Sequence, residues 1–273
     1  MLTPGELVDA NIEGATKKSS SPVWRLFILG IAAGLFIGLG AAVSSTAAHS
    51  IPDIGLARLV AGLVFPIGLC MVILLGAELF TGNALMVNAA LSGKITWCGL
   101  LRNWAIVFVG NLVGALLLAA LLAWFGQLDI GGGALAVYTA KVAAVKASLP
   151  WGKAFVLGIF CNFLVCAAVY MALSAKDTAG KILATFLPII AFVTAGFEHC
   201  VANMYYIPAG IFANLNSAYT GLIADAGINT AALNWGAFFV DNLIPVTLGN
   251  IVGGAAIGLI MYYAYATKAK KKK

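Results

Sequence analysis

Two short stretches place ionisable side chains inside long apolar segments of this chain. One runs from Gly76 to Asn83 and the other from Gly196 to Asn203, and both read Gly-x-Glu-x-x-x-x-Asn. The second stretch also carries His199. Ionisable groups are costly inside a bilayer and usually face a cavity or a solute pathway. An unperturbed histidine titrates at about 6.5 and can exchange a proton with a weak acid. The two stretches therefore indicate a pore or transport site built from two broken helices.

The composition indicates a polytopic membrane protein. Of the 273 residues, 62% are hydrophobic and only 10% are charged, with a mean hydropathy of +1.00. Soluble domains are not this apolar along their whole length. The net charge of +6 does not predict a nucleic-acid partner, because the lysines fall at segment ends and do not alternate with aromatic residues. The polar first 21 residues lack a small-residue cleavage site, which favours an amphipathic cytoplasmic segment over a signal peptide.

Six apolar segments are predicted as membrane spans. They run near Trp24–Ala48, Leu59–Leu91, Trp104–Phe125, Ala154–Ser174, Ile182–Leu215 and Trp235–Thr267. The second and fifth are too long for one straight helix, since either would reach roughly 50 Å. Each carries one Gly-x-Glu-x-x-x-x-Asn stretch near its middle, so we expect two half-helices joined by a non-helical turn. Such a backbone is tolerated in a membrane only where protein or water surrounds it.

The distribution of lysine and arginine predicts the topology. With both termini in the cytoplasm, twelve of the 16 basic residues lie inside and four lie outside, as the positive-inside rule favours. The four outer residues are Arg58, Lys141, Lys146 and Lys153. The lysines near the C-terminus would lie against anionic cytoplasmic lipid.

Internal repeats predict the fold class. The second and fifth segments share the break motif, and the third and sixth share Gly110–Gly114 and Gly249–Gly253, which both read Gly-Asn-apolar-Val-Gly. Because three spans are an odd number, the second copy must enter from the opposite side. We expect an all-α polytopic protein of six transmembrane helices in two inverted three-helix repeats, as one channel domain. Its parts are a cytoplasmic segment 1–23, a first repeat 24–125, an extracytoplasmic loop 126–153, a second repeat 154–267 and a basic cytoplasmic tail 268–273.

Several ordered motifs resemble signatures of the formate/nitrite transporter family. They are Glu78–Gly82, Gly196–His199, Ala202–Met204, Cys161–Cys166 and Asp241–Asn250. The resemblance covers all six segments. It implies an aquaporin-like protomer, a homopentamer with one pore in each protomer, and a multi-pass protein of the bacterial inner membrane. It also implies a substrate among small monovalent weak-acid anions, namely formate, nitrite or hydrosulfide.

The resemblance assigns candidate pore residues. His199 would be the central residue that protonates or hydrogen-bonds the anion, with Thr81 facing it across the pore. A threonine here could also cap the second half-helix. Lys146 would bring positive charge to the vestibule, and Asn162 would lie near the same chamber.

Two further sets of residues complete the predicted site. The apolar constrictions of the family match Phe65, Leu69, Leu79 and Phe192, and such rings block hydrated ions. Glu78, Asn83, Glu198 and Asn203 are expected to be structural at the breaks. A carboxylate would repel an anion, so the two glutamates are not expected to bind the substrate. They should instead accept from backbone N–H groups that the breaks expose. Glu198 could also bond Lys146.

Alternative functions fit the sequence less well. An aquaporin-like pore for neutral solutes would use a pair of Asn-Pro-Ala motifs, which this chain lacks. An intramembrane enzyme would need a metal cluster or a nucleophile with its base, whereas the chain has two histidines on distant segments and five cysteines without metal-ligand spacing. We therefore predict no cofactor, no metal and no catalytic residue. Formate is the favoured anion, and a nitrite- or hydrosulfide-selective channel stays open.

Overall fold

The computed structural model describes residues 1–266, which form helices and connecting turns without a strand. The first half contains α1 (Pro4–Ser19), α2 (Val23–Ala48), α3 (Ile54–Val64), α4 (Ile67–Leu75), α5 (Phe80–Asn83), a 3-10 turn (Ala84–Met86), α6 (Val87–Leu91) and α7 (Trp97–Trp124). The second half contains α8 (Ala134–Ala147), α9 (Trp151–Ser174), α10 (Thr178–Ala195), α11 (Cys200–Leu215), α12 (Ser217–Asp225) and α13 (Ile244–Tyr265). A π-helical segment, Ala237–Leu243, leads into α13. The predicted tail, 268–273, lies outside the described residues.

The expectation of six spans is confirmed within residues 1–266. Six helical stretches are long and apolar enough to cross a membrane: Val23–Ala48, Ile54–Leu75, Trp97–Trp124, Trp151–Ser174, Thr178–Ala195 and Ala237–Tyr265. The protein is therefore an integral membrane protein, with two inverted three-helix repeats.

The predicted starts of the second and fifth segments were wrong by several residues. Asp53 accepts from the Leu56 amide at 2.7 Å and begins α3 at Ile54, not at Leu59. Asp177 accepts from the Gly180 amide at 2.7 Å and begins α10 at Thr178. Hydropathy alone truncates a span at polar residues, whereas an N-cap aspartate extends the helix to its true start.

The two repeats pack through matched glycine contacts. Helix α2 crosses α7, and α9 crosses α13, so each repeat pairs its first span with its last. A methyl group at Gly34 would overlap the Asn111 carbonyl, and one at Gly253 would overlap the carbonyl of Ile159. Only glycine allows the backbones to approach this closely, as is common between helices in lipid.

The repeat also includes a helix before each set of three spans. Lys146 on α8 follows Lys18 on α1 by 128 positions, the same separation as between Leu157 on α9 and Leu29 on α2. Helices α1 and α8 are therefore equivalent by position. We name the two ends of the membrane domain the α1 side and the α8 side.

Candidate pore site at the two helix breaks

Both breaks begin with a glycine in the left-handed region. Gly76 ends α4 and Gly196 ends α10, each with φ of 74°. Because a side chain is strained at this φ, glycine is the residue that stops the helix here. The chain then turns to extended conformations, with φ of −109° at Leu79 and −112° at His199, before α5 and α11 begin. The predicted non-helical turns are thus present at both positions.

One buried asparagine in each repeat satisfies the backbone of the break. Asn111 donates through Nδ2 to the carbonyl oxygens of Gly30 (2.8 Å) and Glu78 (2.9 Å), and its Oδ1 accepts from the Phe80 amide (2.9 Å). Asn250 makes the same three bonds with Gly158 (2.8 Å), Glu198 (2.9 Å) and Cys200 (2.9 Å). The shared Gly-Asn motif signalled these residues, but the sequence did not reveal what they bind.

The expectation that the two glutamates bind exposed backbone N–H groups was wrong. Glu78 Oε2 instead accepts from Asn83 Nδ2 at 2.7 Å, and Glu198 Oε2 accepts from Asn203 Nδ2 at 2.6 Å. A break presents both a carbonyl and an amide, so a carboxamide, which donates and accepts, suits it better than a carboxylate, which only accepts. The glutamates and asparagines still form the matched framework of the breaks.

Each buried glutamate is paired with a lysine from the helix that precedes its repeat. Lys146 Nζ lies 2.8 Å from Glu198 Oε1, and Lys18 Nζ lies 3.1 Å from Glu78 Oε2. Lys18 also donates to Asn83 Oδ1 at 2.7 Å. Lys18 was not among the predicted site residues, although its 128-residue separation from Lys146 could have indicated it.

Lys146 is held on two sides. Besides its bond to Glu198, its ammonium lies 5.3 Å from the centroid of the Tyr206 ring. Its side chain is 16% exposed. The structure thus brings Lys146 to the break, but with its charge already matched by a carboxylate.

His199 and Thr81 meet between the two breaks. His199 Nε2 lies 3.0 Å from Thr81 Oγ1, and both residues are buried. His199 is also the N-cap of α11, because the Ala202 amide donates to its Nδ1 at 3.0 Å. Thr81 does not cap α5, which begins after Leu79 without a side-chain cap. The capping role considered for Thr81 was therefore wrong, and the side-chain cap occurs only at the other break, where His199 caps α11.

These two bonds define the donor and acceptor roles. A backbone amide can only donate, so His199 Nδ1 must accept and carries no proton. The neutral ring then bears its hydrogen on Nε2, which donates to Thr81 Oγ1. Among residues 1–266, the Thr81 hydroxyl hydrogen has no acceptor. That hydrogen is available to a group that enters the pore.

Aromatic and aliphatic side chains surround this pair. The Phe192 ring stacks on His199 with centroids 6.0 Å apart, and Phe65 meets Phe192 edge-on at 5.6 Å. Leu69 and Leu79 are buried in the same hydrophobic cluster. The structure thus brings Phe65 and Phe192 into contact with each other beside His199, with Leu69 and Leu79 in the surrounding core.

Asn162 lies beneath the Thr81 backbone. Its Nδ2 donates to the carbonyl oxygens of Thr81 (3.1 Å) and Asn250 (2.6 Å), and the side chain is fully buried. Its donors are therefore used to join the two repeats. The geometry gives Asn162 a positioning role next to Thr81, and its predicted place near the chamber stays a prediction.

Other residues of the framework were not foreseen. Asn103 and Asn242 accept from Asn83 and Asn203 at 2.8 and 2.7 Å. Trp104 Nε1 donates to the Asn83 carbonyl at 2.9 Å. The first two are separated by 139 positions, as are Asn111 and Asn250, so the repeat carried a signal for them.

A cavity of about 250 Å³ adjoins the break on the α1 side. Its wall includes Leu69, Leu79 and Glu78 from the break region, and Asn11 and Lys18 from α1. Helix α1 thus forms one wall of the cavity beside this break. No group of residues that could hold a metal ion is found within residues 1–266.

The fold and the site define a membrane channel or transporter: two inverted repeats bring two helix breaks together around a buried polar pair. The chain belongs to the formate/nitrite transporter family, whose sequence profile matches residues 5–264. The formate channel FocA of Haemophilus influenzae is 42% identical over 272 residues, covering 98% of this chain and 95% of that protein. The proteins of this family are channels and transporters, not enzymes.

Two solved structures share the fold. One is described as a pentameric formate channel with formate bound; it is 35% identical, with a TM-score of 0.80, and the match covers 89% of this chain and 96% of that one. The other, described as an FNT family ion channel, is 29% identical with a TM-score of 0.81, covering 95% and 98%.

Proposed function

We propose that this protein is a channel for small monovalent anions of weak acids, with formate as the principal substrate. The observation that carries the proposal is the Thr81–His199 pair, which offers one free hydroxyl hydrogen at the point where the two breaks meet. Relatives named as formate channels, at 36% and 42% identity over nearly the whole chain, favour formate among the anions. Nitrite and hydrosulfide are the alternatives within the same site chemistry.

The anion binds by accepting a hydrogen bond from the Thr81 hydroxyl. His199 polarises this hydroxyl by donating from Nε2 to its oxygen. The hydroxyl in turn donates to the anion, so the first hydrogen bond strengthens the second. A second proton on His199 Nδ1 would break the cap of α11. The geometry therefore favours hydrogen bonding over proton transfer from the ring, and a proton that joins the anion comes from water.

The apolar side chains select for the protonated form at the narrow points. A bare anion loses its hydration between Phe65 and Phe192, whereas a neutral weak acid crosses an apolar slit at far lower cost. Attraction of the anion, hydrogen bonding at Thr81 and passage as the neutral acid form one pathway. Phe65, Leu69, Leu79 and Phe192 are the proposed constrictions of this pathway.

The protein is proposed to act as a homopentamer in the bacterial inner membrane, with both termini in the cytoplasm. The relative described as a pentameric formate channel supports the assembly, and the basic residues support the orientation. In that orientation the α1 side is cytoplasmic. Because Thr81 and His199 come from one chain, each protomer would hold a complete pore, and the lipid bilayer would surround the assembly. We propose the same single channel domain as the sequence predicts, with repeats at 24–125 and 154–267.

The test is a comparison of flux in proteoliposomes. Purified protein is reconstituted, and the uptake of formate, nitrite and hydrosulfide is measured in parallel at several pH values against empty liposomes. We expect formate to pass fastest. Thr81→Val removes the donor at nearly constant volume, and Thr81→Ser, the matched control, keeps it. The absence of flux above empty liposomes for all three anions would refute the proposal.

A further inference from the structure

The paired state of Lys146 leaves the α8 side without an obvious free cation beside the pore. The ammonium and the Glu198 carboxylate are 2.8 Å apart, so their charges cancel at a distance. An ion pair attracts an approaching anion much less than a free cation does. Attraction of anions to the pore entrance on the α8 side therefore requires a cation other than Lys146.

Arg58 has the required position. It lies in α3, is exposed, and has no ion-pair partner among the described residues 1–266. A methyl group built on Gly196 would lie 2.7 Å from its Nη1. The guanidinium thus rests against the first residue of the break that contains His199.

The face of α3 that carries Arg58 leads to the constriction. Gly62, one turn further along, packs against the Ile190 carbonyl of α10, and Phe65, two turns along, contacts Phe192. Residues four and seven apart share one helix face. Arg58 therefore lies directly above the Phe65–Phe192 contact, on the seam between α3 and α10.

The other break lacks this feature. Gly76 has the same φ of 74° as Gly196, but no atom lies within 4 Å of a methyl group built there. A cation against the glycine is consequently not needed to form a break of this shape. Its presence at Gly196 alone is a property of the α8 side.

We infer that Arg58 is the residue that captures anions at the pore entrance on the α8 side, and that its guanidinium favours planar anions with two oxygens. Formate and nitrite can each accept two parallel N–H bonds from a guanidinium, whereas hydrosulfide offers a single atom. The anion is held at Arg58 before it enters between Phe65 and Phe192. The inference rests on the proposed function and adds to it a residue that selects among the candidate anions.

The experiment measures initial formate flux from the α8 side as a function of formate concentration. Wild type, Arg58→Gln and Arg58→Lys are compared at ionic strengths of about 0.01 M and about 1 M. Lys153→Gln is the matched control, because Lys153 is an exposed cation on the same side and the substitution removes the same charge. Hydrosulfide flux is measured in parallel.

We expect Arg58→Gln to raise the half-saturating formate concentration about three- to tenfold at low ionic strength, with saturating flux retained and the difference reduced at high salt. Arg58→Lys should keep the charge effect for hydrosulfide but bind formate less well. Lys153→Gln should match wild type. A value for Arg58→Gln equal to that of Lys153→Gln would overturn the inference.

Two further outcomes are separable. Loss of saturating flux at both salt concentrations, with an unchanged half-saturating concentration, would mean that Arg58 only supports the end of α10, and would overturn the inference. Wild-type protein that passes no formate, nitrite or hydrosulfide would overturn the proposed function and this inference with it. Wild-type flux with normal behaviour of Arg58→Gln would overturn the Arg58 assignment alone.

Discussion

Replacing Lys146 by methionine is expected to destabilise the protein more than the same change at Lys18. Methionine keeps most of the apolar stem but leaves the Glu198 carboxylate without its cation. At the observed 2.8 Å, the gross attraction between the two charges is about 6 kcal/mol at an effective dielectric constant of about 20. The Glu198 side chain is only 5% exposed, so water cannot replace the lysine. We therefore expect a loss of about 3 kcal/mol in the free energy of unfolding.

The equivalent ion pair at the other break, Lys18–Glu78, gives the control. Lys18 lies 3.1 Å from Glu78, but its side chain is 36% exposed, so solvent screens the interaction. Lys18→Met should cost about 1 kcal/mol. The difference between the two lysines follows from their exposure, since the acid, the asparagine and the glycine of the two breaks are the same.

The measurement is equilibrium unfolding in mixed detergent micelles, with Glu198→Gln and the double variant Lys146→Met/Glu198→Gln to complete a cycle. Because the two side chains are in contact, the double variant should be less destabilised than the sum of the single variants, by about 2 kcal/mol. Equal effects of Lys146→Met and Lys18→Met, or additive effects in the cycle, would contradict the assignment of a desolvated ion pair.

Three further outcomes are expected. Thr81→Val should lower formate flux by about tenfold or more, whereas Thr81→Ser should retain it, because a hydrogen bond to a charged group contributes about 1.5–3 kcal/mol; parallel flux assays decide this. Gly253→Ala should destabilise the protein by about 1–3 kcal/mol through overlap between α13 and α9, whereas Gly14→Ala, which meets no neighbour, should be neutral or stabilising in the same unfolding assay. The bond from Thr3 lowers the pKa of Glu6 in the capping box of α1. The cap is therefore fully present above the unfolded pKa of Glu6 and is lost as the pH falls through its folded value; hydrogen exchange at the start of α1 should rise on acidification in wild type but not in Glu6→Gln.

Much of the membrane fold could be predicted from residue patterns. The glycines at 76 and 196 marked the two breaks, because a helix that must stop inside a membrane needs a residue that tolerates a left-handed φ. Acidic and amide side chains beside them indicated that the exposed polar groups had partners. The six apolar segments followed from length and hydropathy, with errors where a capping side chain begins the helix earlier, as Asp53, Thr96 and Asp177 do.

Other parts of the fold could not be predicted in this way. Helix α8 lies in a segment expected to be a loop, and it follows three glycines with positive φ, Gly131–Gly133, which obscure the start of a helix. The π-helical turn Ala237–Leu243 was also missed. It holds Asn242, which donates to the Lys146 carbonyl at 2.8 Å, so the irregular turn is fixed by a tertiary contact that no local pattern reveals.

The candidate site was predicted in its members more than in its bonds. The repeat and the family resemblance brought His199 and Thr81 together, and the structure has them in contact. Histidine is not a common N-cap, so its bond to the Ala202 amide could not be predicted from the sequence. The same holds for the conclusion that Nε2 carries the ring hydrogen, because it depends on that bond. The partner of Glu78 could not be read from the spans, because Lys18 lies on the helix that precedes them.

The role of His199 as a neutral hydrogen-bond donor to Thr81 is tested most directly by the pH dependence of formate flux in His199→Asn. Asparagine is a good N-cap, so α11 should still begin correctly while the titratable ring is removed. Initial flux is measured in proteoliposomes across pH for this variant and wild type. If His199 acts as a neutral hydrogen-bond donor to Thr81, the flux falls by about tenfold but rises as steeply on acidification as in wild type. A variant whose flux no longer changes with pH would contradict this account and make the ring the proton donor.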